Sequence, residues 1–303
     1  MIKKYLFGAV FALFATVAAI VLVSCEKAAI TEDSDISGDK NGNLRVRVFE
    51  IEKTPFESLI KKGGTTRASQ AVSEVCTRLS FAIYDESGSR LKPINQQSSA
   101  ADFGSTAFQL EEGDYQLVVV GHSANGNPKT TDLAKIQFTN ATGYTDTFLY
   151  YGEVTIGEDP VDLDVSLNRI VALCRFVITD DIPAEVKKLQ FYYTGGSGAF
   201  NAVTGLGSVA SKQMVTFDVT PTSSKQFDLY TFLHDLEDDI SLTVTALDAS
   251  GNTLYERKFD VPMQQNHITW LTGEFFTGSG SSSINITEIT VNTDWAGETH
   301  LTF

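Results

Sequence analysis

Few residues in this chain are equipped for chemistry. Gly195-Gly196-Ser197-Gly198 follows an apolar run and invites comparison with a nucleophile elbow, G-x-S-x-G, which exposes a reactive serine between a strand and a helix. The fifth position is Ala199, and Phe200 to Gly205 is not a helix start, so the segment reads as a glycine-rich loop needing positive φ. His122, His234, His267 and His300 are widely separated and carry no zinc-site spacing. Asp235, Glu237, Asp238 and Asp239 offer hard oxygen ligands but lack the glycine and spacing of a calcium loop, and read as a solvated turn. No catalytic residue, metal ligand or cofactor is assigned.

The residue with the clearest chemical role is Cys25. Lys3 and Lys4 precede an uncharged apolar run from Tyr5 to Val23, the pattern of an export signal. The run is long enough to span a bilayer. Its end decides: Leu22-Val23-Ser24-Cys25 looks like a bacterial lipobox, where small residues precede a cysteine whose thiol receives a diacylglyceryl group. Residues 1–24 would be removed and Cys25 would become the N-terminus. Each buried CH₂ of its acyl chains contributes about 0.8 kcal/mol, so two or three chains make the tether effectively permanent. Glu26 to Asn43 is too polar to bury a core and reads, with Cys25, as a flexible acidic tether over 25–43.

Cys76 and Cys174 remain. Their strand parities differ, so two free thiols are expected although the compartment permits a disulfide. In Gly63-Gly64-Thr65-Thr66-Arg67-Ala68-Ser69, a soft loop, Arg67 is either a plain surface arginine or the point at which an arginine-specific protease cuts before Ala68.

The elements that must carry these residues are strands. The chain has 303 residues, enough for two domains with their own cores. Net charge is −15, or −17 once Lys3 and Lys4 leave with the signal, which repels phosphate backbones and excludes nucleic acid as a partner. Leu44 to Glu52 alternates, with Leu44, Val46 and Val48 on one face. Pro55 to Lys62 has room for a turn or two of helix. Val75 to Asp85 is a strand that turns at Asp85-Glu86-Ser87-Gly88, a hairpin signal. Ala107 to Leu110 and Tyr115 to Gly121 suggest a second hairpin, whose Leu117-Val118-Val119-Val120 is apolar enough to be central. Val161, Leu163, Val165 and Leu167 face one way, Asp162, Asp164 and Ser166 the other. Asn140 to Gly152 has no clean period and receives no element.

A second unit begins near Asn168, with strands over 169–179, 187–193, 214–219, 227–233, 240–247 and 253–261. No amphipathic helix longer than about three turns is evident, which excludes Rossmann and TIM architectures. The fold class is all-β: two tandem β-sandwich domains, 44–167 and 168–303, after the signal and tether. Gly278 to Ser283 is a flexible linker, followed by a strand from Ile284 to Asn292 whose apolar parity switches between Ile286 and Ile289, so a bulge is expected. Val291, Trp295, Leu301 and Phe303 continue an unusually apolar tail.

Three stretches together resemble the fimbrillin superfamily of Bacteroidales-type pili, and within it the FimB-like fimbrial anchors: Ser166 to Ala172, Phe191 to Phe200, and Val261 to Thr269. Asn266-His267-Ile268-Thr269 departs from the family's Asn-Arg-x-Thr. The acidic stretch after Cys25 also resembles the surface-export tag of Bacteroidales lipoproteins. The resemblance implies two transthyretin-like sandwiches, a lipid holding the protein to the outer membrane, and assembly with other fimbrial subunits by strand addition. In polymerising relatives, cleavage after a basic residue removes the first strand and opens a groove; anchors keep it. The donor would be the tail, with Ile284, Ile286, Ile289, Val291, Trp295, Leu301 and Phe303. Two other readings stay open: a polymerising fimbrillin or tip adhesin activated at Arg67, and a surface lipoprotein that binds host proteins or glycans through Tyr144, Phe148, Tyr150, Tyr151, Trp270 or Trp295.

Overall fold

The computed structural model describes residues 42–52, 72–138, 144–277, 285–290 and 295–303. Cys25, Arg67, Ala68, Ile284, Val291 and the 55–62 segment lie outside the described residues.

The first half contributes β1 (Leu44–Glu52), a single turn α1 (Val72–Val75), β2 (Arg78–Tyr84), β3 (Ile94–Gln97), β4 (Ser105–Phe108), β5 (Gly113–His122), β6 (Ile136–Gln137), β7 (Thr147–Ile156) and β8 (Val161–Arg169). Seven of these strands form one folded-over sheet, β3-β2-β5-β7-β8-β1-β4. Its two halves join only through Phe148↔Arg169 and Leu149↔Asn168, so the sheet doubles back there as a sandwich. Leu79, Phe81, Ile83, Leu117 and Val119 of one half meet Leu44, Val46, Val165 and Leu167 of the other. Full burial of each such side chain contributes roughly 1.5–3 kcal/mol.

The second half contributes β9 (Ala172–Ile178), β10 (Lys188–Thr194), β11 (Gly196–Ser197), β12 (Ala199–Phe200), β13 (Gln213–Asp218), β14 (Gln226–Leu233), β15 (Glu237–Leu247), β16 (Thr253–Gln264), β17 (His267–Gly273), β18 (Asn285–Thr290) and β19 (Gly297–Thr302). A four-stranded sheet, β13-β10-β15-β16, faces a six-stranded one, β11-β14-β9-β17-β19-β18. Phe176 lies at the centre of their core, within 6.0 Å of the rings of Phe191, Phe259, Phe275 and Phe303.

The two sandwiches share a third core. Ala82, Tyr84, Val118 and Val120, on the outer face of β2 and β5, pack with Leu173, Phe200, Phe232, Ile268 and Trp295. The run Leu117 to Val120 is therefore apolar on both faces because each face is buried, one inside its own sandwich and one against the next. A two-stranded sheet, β6 with β12, adds main-chain bonds across the same junction.

The first hairpin forms as expected: β2 pairs β3 antiparallel, and Asp85 accepts the N–H groups of Ser87 and Ser89 in the turn. The expected second hairpin does not form. β4 pairs β1, and β5 lies between β2 and β7, so the Glu111 to Gly113 connection crosses between the sandwich halves. Val75 is helical, its turn closed by Cys76 N–H donating to Val72 O at 3.0 Å, and the strand starts at Arg78. Strand β7 occupies the stretch that carried no period, because Phe148 and Tyr150 turn to one core while Leu149 and Tyr151 turn to another. Cys76 and Cys174 are free and buried in different cores, and burial pushes each thiol up to about 12.

His122 is fully buried at the end of β5, next to Arg78 on β2 and edge-on to Phe138 at 5.0 Å. Neither ring nitrogen has a hydrogen-bond partner among the described residues. Burial, reinforced by Arg78, lowers its pKa to about 3. As pH falls from about 6.5 toward 3, the unfolded chain takes up a proton that the folded chain refuses, so stability declines across that window. His122→Leu should remove this decline and keep the fold, as read by urea midpoints at pH 7 and pH 5. An unchanged slope in the variant would show that His122 is not its source.

Candidate functional site

Terminal strand β1 is held on both edges. It runs parallel to β8, with Leu44↔Val161, Val46↔Leu163 and Val48↔Val165, and antiparallel to β4. The register shifts between Val48 and Glu50, and this bulge returns Ile51 to the buried face, where it is 2% exposed. Ahead of the strand, Asn43 acts as a backbone mimic: its side chain donates to Leu110 O and accepts from Leu110 N–H, each at 2.9 Å.

The outer face of β1 carries two forked ion pairs. Arg45 donates through Nε and Nη2 to Asp162 at 2.5 and 2.8 Å, and Arg47 donates to Asp164 at 2.8 and 2.6 Å. All four side chains are about half exposed or more, so water screens each pair and its contribution to stability is small. Their value is geometric, since a bidentate fork fixes one register. The Arg47 hydrogen bonds hold the Asp164 carboxyl below its ordinary range.

At the other end of the chain, β19 lies parallel to β17, with Ile268↔Glu298, Trp270↔His300 and Leu271↔Leu301. Strand β18 pairs antiparallel outside it, with a register shift between Ile286 and Glu288 that supplies the expected bulge. Trp295 and Leu301 are buried, and Phe303 stacks on Phe176 at 5.2 Å and meets Phe259 at 4.7 Å. The tail is thus seated in its own chain. On the opposite face Glu298, itself buried, accepts from Trp270 Nε1 at 3.0 Å and lies 3.4 Å from His300 Nε2. The point where the chain leaves β17 is fixed by Asp180, which accepts the N–H groups of Phe275, Phe276 and Thr277 at 2.9, 2.7 and 2.7 Å. Burial alone would raise the Asp180 pKa, but these donors outweigh it and hold the carboxyl low.

Between the sandwiches lies a buried joint. Arg169 forks onto Asp146 at 2.7 and 2.8 Å, donates to Asn266 Oδ1 at 3.2 Å, and lies over the rings of Phe148 and Trp295 at 4.9 and 3.9 Å. Asn266 holds a left-handed turn, φ 58°, from which its carbonyl accepts Ala296 N–H at 2.7 Å. Two segments singled out in the sequence, around Arg169 and around Asn266, therefore meet here, and the tail closes over them through Trp295. The sequence marked both segments without indicating that they touch.

Other candidates are absorbed by structure. Ser197 is fully buried, and its hydroxyl donates to Ala199 O and accepts from Ala199 and Val209 N–H; Gly195 before it has φ 94°. His234 and His267 bond to backbone carbonyls of Gly207 and Gln265. No group of three metal-ligating side chains occurs among the described residues. Of the aromatics considered for display, Tyr144, Phe148 and Trp295 are 7% exposed or less.

Residues 47–303 match the model of a family described as one of unknown function, DUF6562. No curated protein matches the sequence. Among solved structures, a candidate adhesin from Bacteroides ovatus ATCC 8483 is 14% identical, with TM-score 0.46 over 72% of this chain and 81% of that one. A fimbrial assembly protein from Parabacteroides distasonis ATCC 8503 is 15% identical, with TM-score 0.37 over 76% and 89%. The fimbrial anchor protein Mfa2 from Porphyromonas gingivalis is 12% identical, with TM-score 0.35 over 70% and 80%.

Removing one partner of a buried ion pair strands the other. Arg169→Ala should therefore cost about 3 kcal/mol in urea unfolding, and Arg169→Lys should recover only part of it, because an ammonium cannot fork onto Asp146. Full recovery by lysine would show that charge alone, without the fork, holds the joint.

Proposed function

The chain belongs to the DUF6562 family, a family of unknown function, and we propose that this protein is a lipid-anchored structural subunit of a fimbria, joined to other subunits by strand addition. Cys25 carries the lipid that holds it to the outer membrane, and the mature chain stays whole past Arg67 and Ala68. The protein thus serves as an anchor, not a catalyst, and needs no cofactor.

The observation that carries this reading is the seating of β1. A terminal strand bonded along both edges, with four inward apolar side chains and two forked pairs outside, is built to stay. Removing it would bare two rows of main-chain groups beside Leu44's and Val46's empty sites, and each buried group without a partner costs roughly 1–3 kcal/mol. The exchanging element is instead the tail, 284–303. Its β19 lies parallel on β17, with β18 of the same segment outside it, so β18 and β19 together form the edge of the sheet and meet the rest of it through β17, where another chain's equivalent pair could take their place.

Two measurements test the reading. Intact mass and N-terminal sequencing of the protein recovered from cells should find an acylated Cys25; a start at Ala68 would replace the anchor by a polymerising subunit. Thr272 and Thr302 are in register across β17 and β19. Introducing Thr272→Cys with Thr302→Cys and oxidising should lock the tail in its own chain and block incorporation into fibres, and reduction should restore it. Incorporation that ignores oxidation would exclude the tail as the exchanged strand.

A further inference from the structure

Open sheet edges attract other strands, and this chain protects nearly all of its own. The seven-stranded sheet ends in β3 and β4, four residues each, and Pro93 precedes β3. The six-stranded sheet ends in β11, two residues long, and in β18, which is bulged and carries Glu288. In the four-stranded sheet, edge strand β16 bears Glu256, Arg257, Lys258, Asp260 and Pro262. Among the described strands β13, the opposite edge of that sheet, is the exception. It is six residues long, pairs with β10 in unbroken register, has no proline or bulge, and reads Gln-Met-Val-Thr-Phe before its one charge, Asp218.

The core is open along this edge. Leu189, Phe191, Leu242 and Val244, on the inner face of the neighbouring strands, are at most 1% exposed, whereas Val215 and Phe217 on the same face are only partly buried. On the outer face Met214 is 51% exposed. Val219 N–H donates to Lys187 O, so alternation along the ladder commits Phe217, Val215 and Gln213 to β10 and turns the main-chain groups of Met214, Thr216 and Asp218 to the open side. The segment is complementary to its own reverse. Laid antiparallel about Val215, it sets Met214 opposite Thr216 and Lys212 opposite Asp218 on the outer face, and Val215 against Val215 of the second copy on the inner face. In this register the outward N–H and C=O groups of Met214 meet those of Thr216, and a chain of net charge −15 gains an opposite-charge pair on each side of the two-fold axis. We infer that two copies of this chain join edge to edge through β13, merging their four-stranded sheets into one continuous sheet. Such a pair presents the same patch from both copies, so it closes at two and engages neither chain end, which sets it apart from strand addition. Six residues make a small contact of the transient class, and the pair dissociates on dilution.

The test uses the full chain, purified in detergent and mildly oxidised, with the unsubstituted chain as background. Val215→Cys would lie opposite its own copy in a non-hydrogen-bonded pair, about 4.5 Å apart at Cα, which suits a disulfide. Met214→Cys is more exposed but faces Thr216 of the second copy. Val215→Cys should therefore form the linked dimer several times faster than Met214→Cys, the reverse of what random collision gives. In the Val215→Cys background, Lys212→Asp or Asp218→Lys sets like charges opposite each other on both sides of the axis, and either variant alone should dimerise about two- to thirtyfold less. Mixing the two variants restores both opposite-charge pairs and should restore the yield as a mixed dimer. Sedimentation of the same charge variants without the cysteine reads the same pattern independently of the substitution at Val215. A dimer that links through Met214→Cys as fast as through Val215→Cys, or a mixture that associates no better than either variant alone, overturns the edge pair.

Discussion

The structure depends on a constraint of sheets: a strand is stable only when its main-chain groups are bonded and its apolar face is covered. Chain ends meet this constraint at long range. Strand β1 is completed by β8, with Arg45 and Asp162 separated by 117 positions, and β19 is completed by β17. In both places the added strand is parallel to its neighbour, an arrangement that no tight turn can make and that an equivalent strand from elsewhere can satisfy. The first and last described strands are thus each held by a partner remote in the chain.

The junction between the sandwiches answers the same need by other means. The outer face of β2 and β5 would be an exposed apolar sheet if the second sandwich were absent, and the shared core covers it. Arg169 is then enclosed, and its cost of burial is offset by a fork to Asp146, a bond to Asn266 and two aromatic rings. Because Trp295 forms one side of that enclosure, the tail is packed against the joint as well as against its own sheet. Tail position and inter-sandwich geometry share side chains.

Much of this was legible in residue order, and the exceptions have physical reasons. Strand β8 alternates cleanly because one face meets a core and the other meets water, and the parity switch after Ile286 correctly signalled a bulge. Strand β7 was illegible because both its faces are buried, so Phe148 and Leu149 look alike to any period count. Strand β17, with Ile268, Trp270 and Leu271, is hidden for the same reason. The false hairpin from Phe108 to Tyr115 shows that a turn signal marks a reversal of direction and not the partner strand. The forks from Arg45 and Arg47 could not be foreseen, since each aspartate is named only by the register of two remote strands.

The wide separation of β1 from β8 also has a kinetic side. Contacts between distant positions form late, because the entropy of closing the intervening loop must be overcome before any bond is gained. The antiparallel hairpins β2–β3 and β15–β16 close over short loops and form early by comparison. During folding there is thus an interval in which most of the first sandwich exists while its β1 position stands vacant.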